Sequence, residues 1–173
     1  MFATIYLPNF YLQAALRHQP ELSTKPVALL DDQKTKAVIV QLTSAAEDAG
    51  VSKGMTPSQG LARCLQLIVK TRRPSQEKLL DEVVLQHAFT LAPYVEATGP
   101  GVCTVQFTDQ RNLAEKVERV IESLADSEII AQAGIADAPD TSFLAAHLAK
   151  PVLQIDNAKK FLAPLPIETL AFV

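Results

Sequence analysis

One stretch of the sequence, residues 94–108, constrains the fold more than any other. It reads YVEATGPGVCTVQFT, with a Gly-Pro-Gly triplet at 99–101 between two short runs of β-forming residues. Glycine tolerates positive φ and proline fixes φ, so the triplet favours a reversal of the chain. From Val102 to Thr108, side chains alternate in the period of a half-buried strand. The stretch therefore predicts a β-hairpin.

The order of elements around this hairpin predicts an α+β fold. Strands are expected at 2–7 and 129–134, and helices at 112–124 and 140–149. A strand, a hairpin, a helix, a strand and a helix, in that order, suit a ferredoxin-like split βαβ sheet. Residues from about 26 to 73 interrupt this order and predict a small inserted lobe.

Composition bounds the classes of protein to which the chain can belong. The formal net charge is -3 and the pI is about 5.6, so a strongly basic nucleic-acid-binding face is not expected. No apolar run approaches the ~18 residues of a membrane span. The N-terminus lacks the basic segment of a signal peptide, which predicts a cytoplasmic protein without a membrane anchor.

Motifs for metal, cofactor or phosphate binding are absent from the sequence. Neither GxxxxGK[ST] nor GxGxxG occurs. The three histidines fall on three different predicted helices, without metal-ligand spacing, and the two cysteines do not form a metal or disulfide pattern. The residues alone therefore indicate an α+β domain with no visible active site, no bound metal and no cofactor.

A short basic stretch is the only concentration of positive charge that invites a functional interpretation. Lys70, Arg72 and Arg73 occupy three of four consecutive positions after a predicted strand. They can form a solvated basic loop or contact the phosphate backbone of DNA, and the sequence leaves both open.

Three further segments carry a resemblance to a known family. They are IYLPNFYLQAAL, VIVQLTSAAEDAGVSKGM and GIADAPDTSFLAAHLAKP, beginning at Ile5, Val38 and Gly134. In this order and spacing they resemble the palm and fingers of a Y-family (translesion) DNA polymerase, closest to its ImuB-like branch. The resemblance implies a palm at 1–25 and 74–165, a fingers-like lobe at 26–73 and a truncated thumb-like start at 166–173. It also implies that the thumb and little finger are absent.

The chain departs from this family at the positions of its metal ligands. The family holds two metal ions with an aspartate on the first strand and an Asp-Glu pair in the hairpin. The resemblance places Tyr6 at the first aspartate, Pro8 at an acid that often follows it, and Gly101 and Val102 at the Asp-Glu pair. Two-metal phosphoryl transfer needs such carboxylates. We therefore expect degenerate metal positions and a protein that is not an enzyme.

Four other positions correspond to residues that contact the incoming nucleotide in the family. Tyr11 belongs to its aromatic pair, whereas Ser44 and Glu47 stand at a tyrosine and an arginine that grip the triphosphate. An acid facing a triphosphate is repulsive. Lys150 matches a triphosphate-contacting lysine, although a lysine complementing the helix dipole is an equal interpretation.

The resemblance implies a non-catalytic adaptor in DNA repair and damage-induced mutagenesis. Its implied partners are a catalytic DNA polymerase, a sliding clamp and a RecA-like or ImuA-like protein, with only weak DNA contact. One alternative is an enzyme on the same scaffold with another site built around Glu96, Glu47 or Lys150. The other is a ligand-binding or oligomerising α+β domain unrelated to polymerases.

Overall fold

The computed structural model describes residues 1–31, 37–109 and 111–172. Residues 32–36 of the predicted lobe and Val173 of the predicted thumb-like segment lie outside these ranges. The strands are β1 Phe2–Tyr6, β2 Val27–Asp31, β3 Val38–Leu42, β4 Ile68–Thr71, β5 Tyr94–Gly99, β6 Val102–Gln106, β7 Gln132–Ala136 and β8 Val152–Gln154. The α-helices are α1 Phe10–Leu16, α2 Ser44–Asp48, α3 Pro57–Arg63, α4 Pro74–Phe89, α5 Leu113–Asp126, α6 Pro139–Leu148 and α7 Ala158–Leu162, and 3₁₀ turns occur at Pro20–Leu22 and Ile167–Phe172.

The chain divides into two compact units. The first unit comprises Met1–Pro8 and Leu80–Val173, and the second comprises Asn9–Leu79. The first unit contains a five-stranded sheet in the order β5-β6-β1-β7-β8, and the second a three-stranded sheet in the order β3-β2-β4. The predicted α+β class is thereby confirmed.

The sheet of the first unit has the split βαβ arrangement that the sequence predicted. Strand β1 lies between β6 and β7 and is antiparallel to both, so β6 and β7 run parallel with α5 as their crossover. Strand β8 adds to β7 in parallel. The predicted hairpin is also present, because β5 pairs with β6 in antiparallel register.

Helix α6 lies unusually close to the sheet because of one glycine in β7. A Cβ built on Gly134 would collide with the backbone of α6 at Ser142 and Ala146. Thr4, which faces Gly134 across the β1–β7 ladder, hydrogen-bonds to the side chain of Ser142. Because Gly134 has no side chain, the backbone of α6 packs directly over the middle of the sheet.

The second unit is built around strand β2, which pairs antiparallel with β3 and parallel with β4. All five residues of β2 are buried. Apolar residues from the two other strands and from the helices complete its core: Ile39, Leu42, Ala46, Val51 and Leu67 on one side and Leu12, Leu16 and Leu22 on the other. The helices therefore cover both faces of this small sheet.

Among the described residues, no helix combines the length and the apolar character that crossing a bilayer would require.

Candidate functional site

The structure brings together three of the four positions predicted to match the family's metal ligands. Tyr6, the last residue of β1, lies directly opposite Val102, the first residue of β6. The next residue, Leu7, donates its backbone N–H to the carbonyl oxygen of Gly101 at 2.9 Å. Pro8 follows immediately and is half-buried. Tyr6 and Pro8 thus lie at the end of β1, beside Gly101 and Val102 at the start of β6. We call these four residues the strand end.

The turn at the strand end is held from both sides. Gly101 has a φ of 69°, in the left-handed region that favours glycine. Its N–H donates to Oδ1 of Asp81 on α4 at 2.8 Å, and its carbonyl accepts the bond from Leu7. The backbone of the turn is therefore fixed by a helix on one side and by β1 on the other.

Aromatic rings occupy the side-chain positions beside the strand end. The rings of Tyr6 and His147 are stacked, with centroids 3.9 Å apart and planes at 22°. Phe143, one turn earlier on α6, packs against the same imidazole with centroids 4.5 Å apart. Burial raises the pKa of Tyr6, so its phenol is neutral at physiological pH. The sequence could not show this stack, since its partners are separated by 141 positions.

The imidazole of His147 is oriented by its own helix. Its Nδ1 lies 2.9 Å from the backbone oxygen of Phe143. A carbonyl oxygen can only accept, so Nδ1 carries the proton in this bond. His147 therefore has a fixed ring orientation against Tyr6.

The residues at the strand end do not fit the two metal ions that the resemblance implies. Tyr6, Pro8, Gly101 and Val102 provide a phenol, a pyrrolidine ring, a hydrogen and an isopropyl group, whereas Mg²⁺ prefers carboxylate oxygens. Across residues 1–31, 37–109 and 111–172, no group of three histidine, cysteine, aspartate or glutamate side chains could hold a metal ion. We assign no chemical step to a metal at these four residues.

A second cluster of functional side chains lies within the second unit. The guanidinium carbon of Arg72 stands 3.8 Å from the centroid of the Tyr11 ring. The same guanidinium makes two hydrogen bonds to Glu77, from Nε to Oε1 at 2.9 Å and from Nη2 to Oε2 at 2.7 Å. These bonds raise the pKa of Arg72 above its usual range.

The predicted basic stretch is not one solvated loop, and that interpretation is wrong. Lys70 lies within β4 and donates from Nζ to Oε1 of Gln19 at 2.8 Å. Arg72 stacks on Tyr11 and forms an ion pair with Glu77. A planar guanidinium can make both contacts at once. Arg73 is exposed. DNA binding by these three residues stays a prediction.

The other predicted nucleotide positions are exposed. Ser44 and Glu47 lie on α2 of the second unit, and Lys150 follows α6 in the first unit. Glu96 is exposed on β5, one edge of the five-stranded sheet, whereas Lys150 is two residues from β8 at the opposite edge. Four strand spacings of ~4.8 Å separate those edges, so Glu96 and Lys150 do not form one site.

Comparison with known proteins gives the family. Residues 5–147 match the impB/mucB/samB family. The chain belongs to that family. It is 25% identical over 175 residues to DNA polymerase IV of Legionella pneumophila (strain Corby), an alignment that covers 93% of this chain and 48% of that protein. The alternative of an α+β domain unrelated to polymerases is therefore wrong.

Solved structures with this fold come from Y-family DNA polymerases. The insertion ternary complex of Dbh DNA polymerase superposes with a TM-score of 0.84 at 17% identity, covering 97% of this chain and 53% of that one. A Y-family DNA polymerase chimera superposes with a TM-score of 0.82 at 17% identity and the same coverage. The resemblance to a Y-family palm and fingers is thereby confirmed.

The expectation that this chain is not an enzyme is corrected by the same comparison. That expectation rests on Tyr6, Gly101 and Val102 standing at the positions of the family's metal-binding carboxylates. The family member matched over 93% of this chain is named DNA polymerase IV, which points to an enzyme. The chain spans about half the length of that relative.

Proposed function

We propose that this chain provides the palm and fingers of a polymerase-like protein acting on primer–template DNA in DNA repair and translesion synthesis. The observation that carries this proposal is the family match over residues 5–147. The split βαβ sheet, with β1 between β6 and β7, supports it. A cytoplasmic location, where such DNA is found in bacteria, is part of the same proposal.

Within this proposal, residues 1–25 and 74–165 are the palm, 26–73 the fingers-like lobe and 166–173 the start of a thumb. The two compact units divide the chain elsewhere, between Pro8 and Asn9 and between Leu79 and Leu80. Tyr6, Gly101 and Val102 take the positions at which the family holds its metal ions. The register that sets Tyr6 against Val102 supports this assignment, as does the hydrogen bond from Leu7 to Gly101. Pro8 is assigned to the same group as the residue that follows Leu7.

Four residues are proposed to stand at the positions where the family contacts the incoming nucleotide. They are Tyr11, Ser44, Glu47 and Lys150. The last three are exposed. The positive charge of Lys150 suits a triphosphate, whereas the negative charge of Glu47 opposes one. Arg73 is the residue of the basic stretch best placed to contact a DNA phosphate, since it is exposed and no ion pair is described for it.

A second candidate function is assembly of a larger repair complex. The aromatic stack of Tyr6 on His147 favours it, because side chains at the strand end are engaged with each other. The partners proposed for this role are a catalytic DNA polymerase, a sliding clamp and a RecA-like or ImuA-like protein. Such a role can coexist with catalysis.

Primer extension tests the proposal directly. The full chain is incubated with labelled primer–template DNA, the four deoxynucleoside triphosphates and Mg²⁺ or Mn²⁺, on intact templates and on templates with an abasic site. We expect DNA binding that weakens as salt increases, and we expect any extension to require the metal ion. Absence of both, at low salt and high protein concentration, would overturn the proposal. Co-purification with the three partner classes tests the second role separately.

A further inference from the structure

Arg72 is held between an aromatic ring and a buried acid, all within the second unit. Its guanidinium lies 3.8 Å above the centre of the Tyr11 ring and makes an ion pair of 2.7 Å with Glu77. The side chains of Arg72 and Glu77 are 25% and 10% exposed. The cluster is therefore partly shielded from water, where charge-assisted bonds and cation–π contacts are stronger than on an open surface.

In this cluster, Glu77 fixes the orientation of the Arg72 guanidinium, and the guanidinium in turn restricts the orientation of the Tyr11 ring. Two parallel hydrogen bonds from Nε and Nη2 fix the plane of a guanidinium, as a single bond would not. The backbone N–H of Arg72 also donates to Leu30 at 3.2 Å, which anchors the start of the side chain. A plane fixed in this way restricts the tilt of the Tyr11 ring stacked beneath it. Glu77 thus constrains a ring with which it makes no described contact.

The paired acid also changes what Arg72 can bind. A carboxylate in bidentate contact occupies the same N–H fork that a phosphate would use. Asp31, buried at the end of β2, adds a further negative charge in the surroundings of Arg72. Arg72 is therefore built to hold Tyr11 rather than to bind an external phosphate.

We infer that Glu77, acting through Arg72, is a positioning residue for Tyr11, and that nucleoside triphosphate binding depends on it. The second half of this inference rests on the proposed function, in which Tyr11 faces the nucleotide. The first half rests on contacts within the second unit alone.

The experiment follows the Tyr11 ring and nucleotide binding separately, in the full chain. Two variants loosen the cluster: Glu77→Gln removes the charge at constant size, and Arg72→Lys keeps the charge but loses the planar fork. Glu21→Gln is the matched control, since Glu21 is an exposed acid of the same unit. The chain has three tyrosines and no tryptophan, so tyrosine fluorescence is measured without interference. Each protein is also made with the additional substitution Tyr11→Phe. Subtracting the fluorescence of this second protein from that of the first leaves the fluorescence of Tyr11 alone.

We expect acrylamide quenching of the Tyr11 signal to rise in Glu77→Gln and Arg72→Lys and to stay unchanged in Glu21→Gln. The dissociation constant for a deoxynucleoside triphosphate should rise about fivefold in the same two variants, the scale of a lost cation–π contact. Unchanged quenching would overturn the positioning role. Raised quenching with unchanged nucleotide affinity would overturn the dependence of nucleotide binding on Glu77.

The proposed function fails in a distinguishable way. If the wild-type chain binds no nucleotide, the role of Tyr11 at a nucleotide is refuted together with the nucleotide half of the inference. A rise in quenching in the two cluster variants would still support the positioning of Tyr11 by Glu77, because that measurement contains no nucleotide.

Discussion

Oγ1 of Thr4 lies 2.8 Å from Oγ of Ser142, joining the centre of β1 to α6. The direction of this bond follows from its neighbours. Ser142 must donate its proton to the backbone oxygen of Pro139, because a carbonyl only accepts. Thr4 therefore donates to Ser142, and Thr104, at 3.1 Å, donates to Thr4. The three buried hydroxyls form one directed chain.

Replacing the middle hydroxyl should cost more stability than replacing the first. Thr4→Val leaves the buried Thr104 proton without its acceptor, so we expect the free energy of unfolding to fall by about 1–2 kcal/mol. Thr104→Val removes only the donor at the end of the chain, and Thr4 keeps its bond to Ser142, so a loss below about 1 kcal/mol is expected. Urea unfolding measures both. A larger loss in Thr104→Val than in Thr4→Val would contradict the assigned direction.

Gly134 should tolerate no side chain. Gly134→Ala places a methyl group against the backbone of α6 at Ser142 and Ala146, which cannot move aside as a flexible side chain would. We expect a loss of at least about 3 kcal/mol in the free energy of unfolding, beyond the usual range of overpacking. Gly99→Ala is the matched control, because a Cβ at Gly99 meets nothing within 4 Å. Equal thermal stability of the two variants would argue against the close approach of α6.

Stability should fall at alkaline pH because of one buried thiol. Burial raises the pKa of Cys103 from 9.0 to about 12. Between these values the unfolded chain has lost the thiol proton while the folded chain retains it. The folded state then binds more protons, so the free energy of unfolding decreases as pH rises, by at most about 1.4 kcal/mol per pH unit. Below pH 9 this contribution is fully present.

The measurement is urea unfolding of the wild type and of Cys103→Ala at several pH values from 8 to 11. The difference between the two chains isolates the thiol from other groups that titrate in this range. We expect the wild type to lose its advantage progressively above pH 9. A difference that does not vary with pH would show that Cys103 ionises equally in both states.

Among the basic residues near β4, Arg73 should matter most for any DNA binding. Arg73→Ala should weaken binding to duplex DNA on all sequences and reduce the slope of log affinity against log salt by about one. Arg72→Ala should change that slope less, since Glu77 neutralises Arg72. Arg119→Ala, an arginine of α5 in an exposed pair with Glu115, is the charge-matched control. Fluorescence anisotropy at several salt concentrations separates these outcomes; a larger slope change for Arg72 would contradict the prediction.

The sequence was sufficient to predict the arrangement of the first unit. The alternation after Gly101 and the helical spacing that follows are local signals, and the split βαβ sheet is one of few topologies consistent with their order. The structure confirmed the hairpin and the class, and the match over residues 5–147 confirmed the family. The predicted inner face is confirmed, since Cys103, Val105 and Phe107 are all buried. Thr104 on the opposite face is buried as well, so the strand is covered on both faces at that point.

The clusters of side chains could not be predicted in the same way. The contact of Tyr6 with His147 depends on which face of α6 meets the sheet, and that of Tyr11 with Arg72 on where β4 ends relative to α1. Neither is encoded in local periodicity. The expectation of a non-enzyme failed for a related reason: it judged the chemistry of the whole chain from a few aligned positions.

The two bonds to Gly101 bear on how this chain can be re-engineered. Hairpin tips are normally good places for an inserted tag, a fused domain or new termini, because their backbone faces water. Here the N–H of Gly101 donates to Asp81, its carbonyl oxygen accepts from the N–H of Leu7, and Gly101 itself is buried. An insertion between Pro100 and Gly101 would disturb the bonds of Gly101 to both Asp81 and Leu7. The β5–β6 turn is therefore a poor site for an insertion or for new termini.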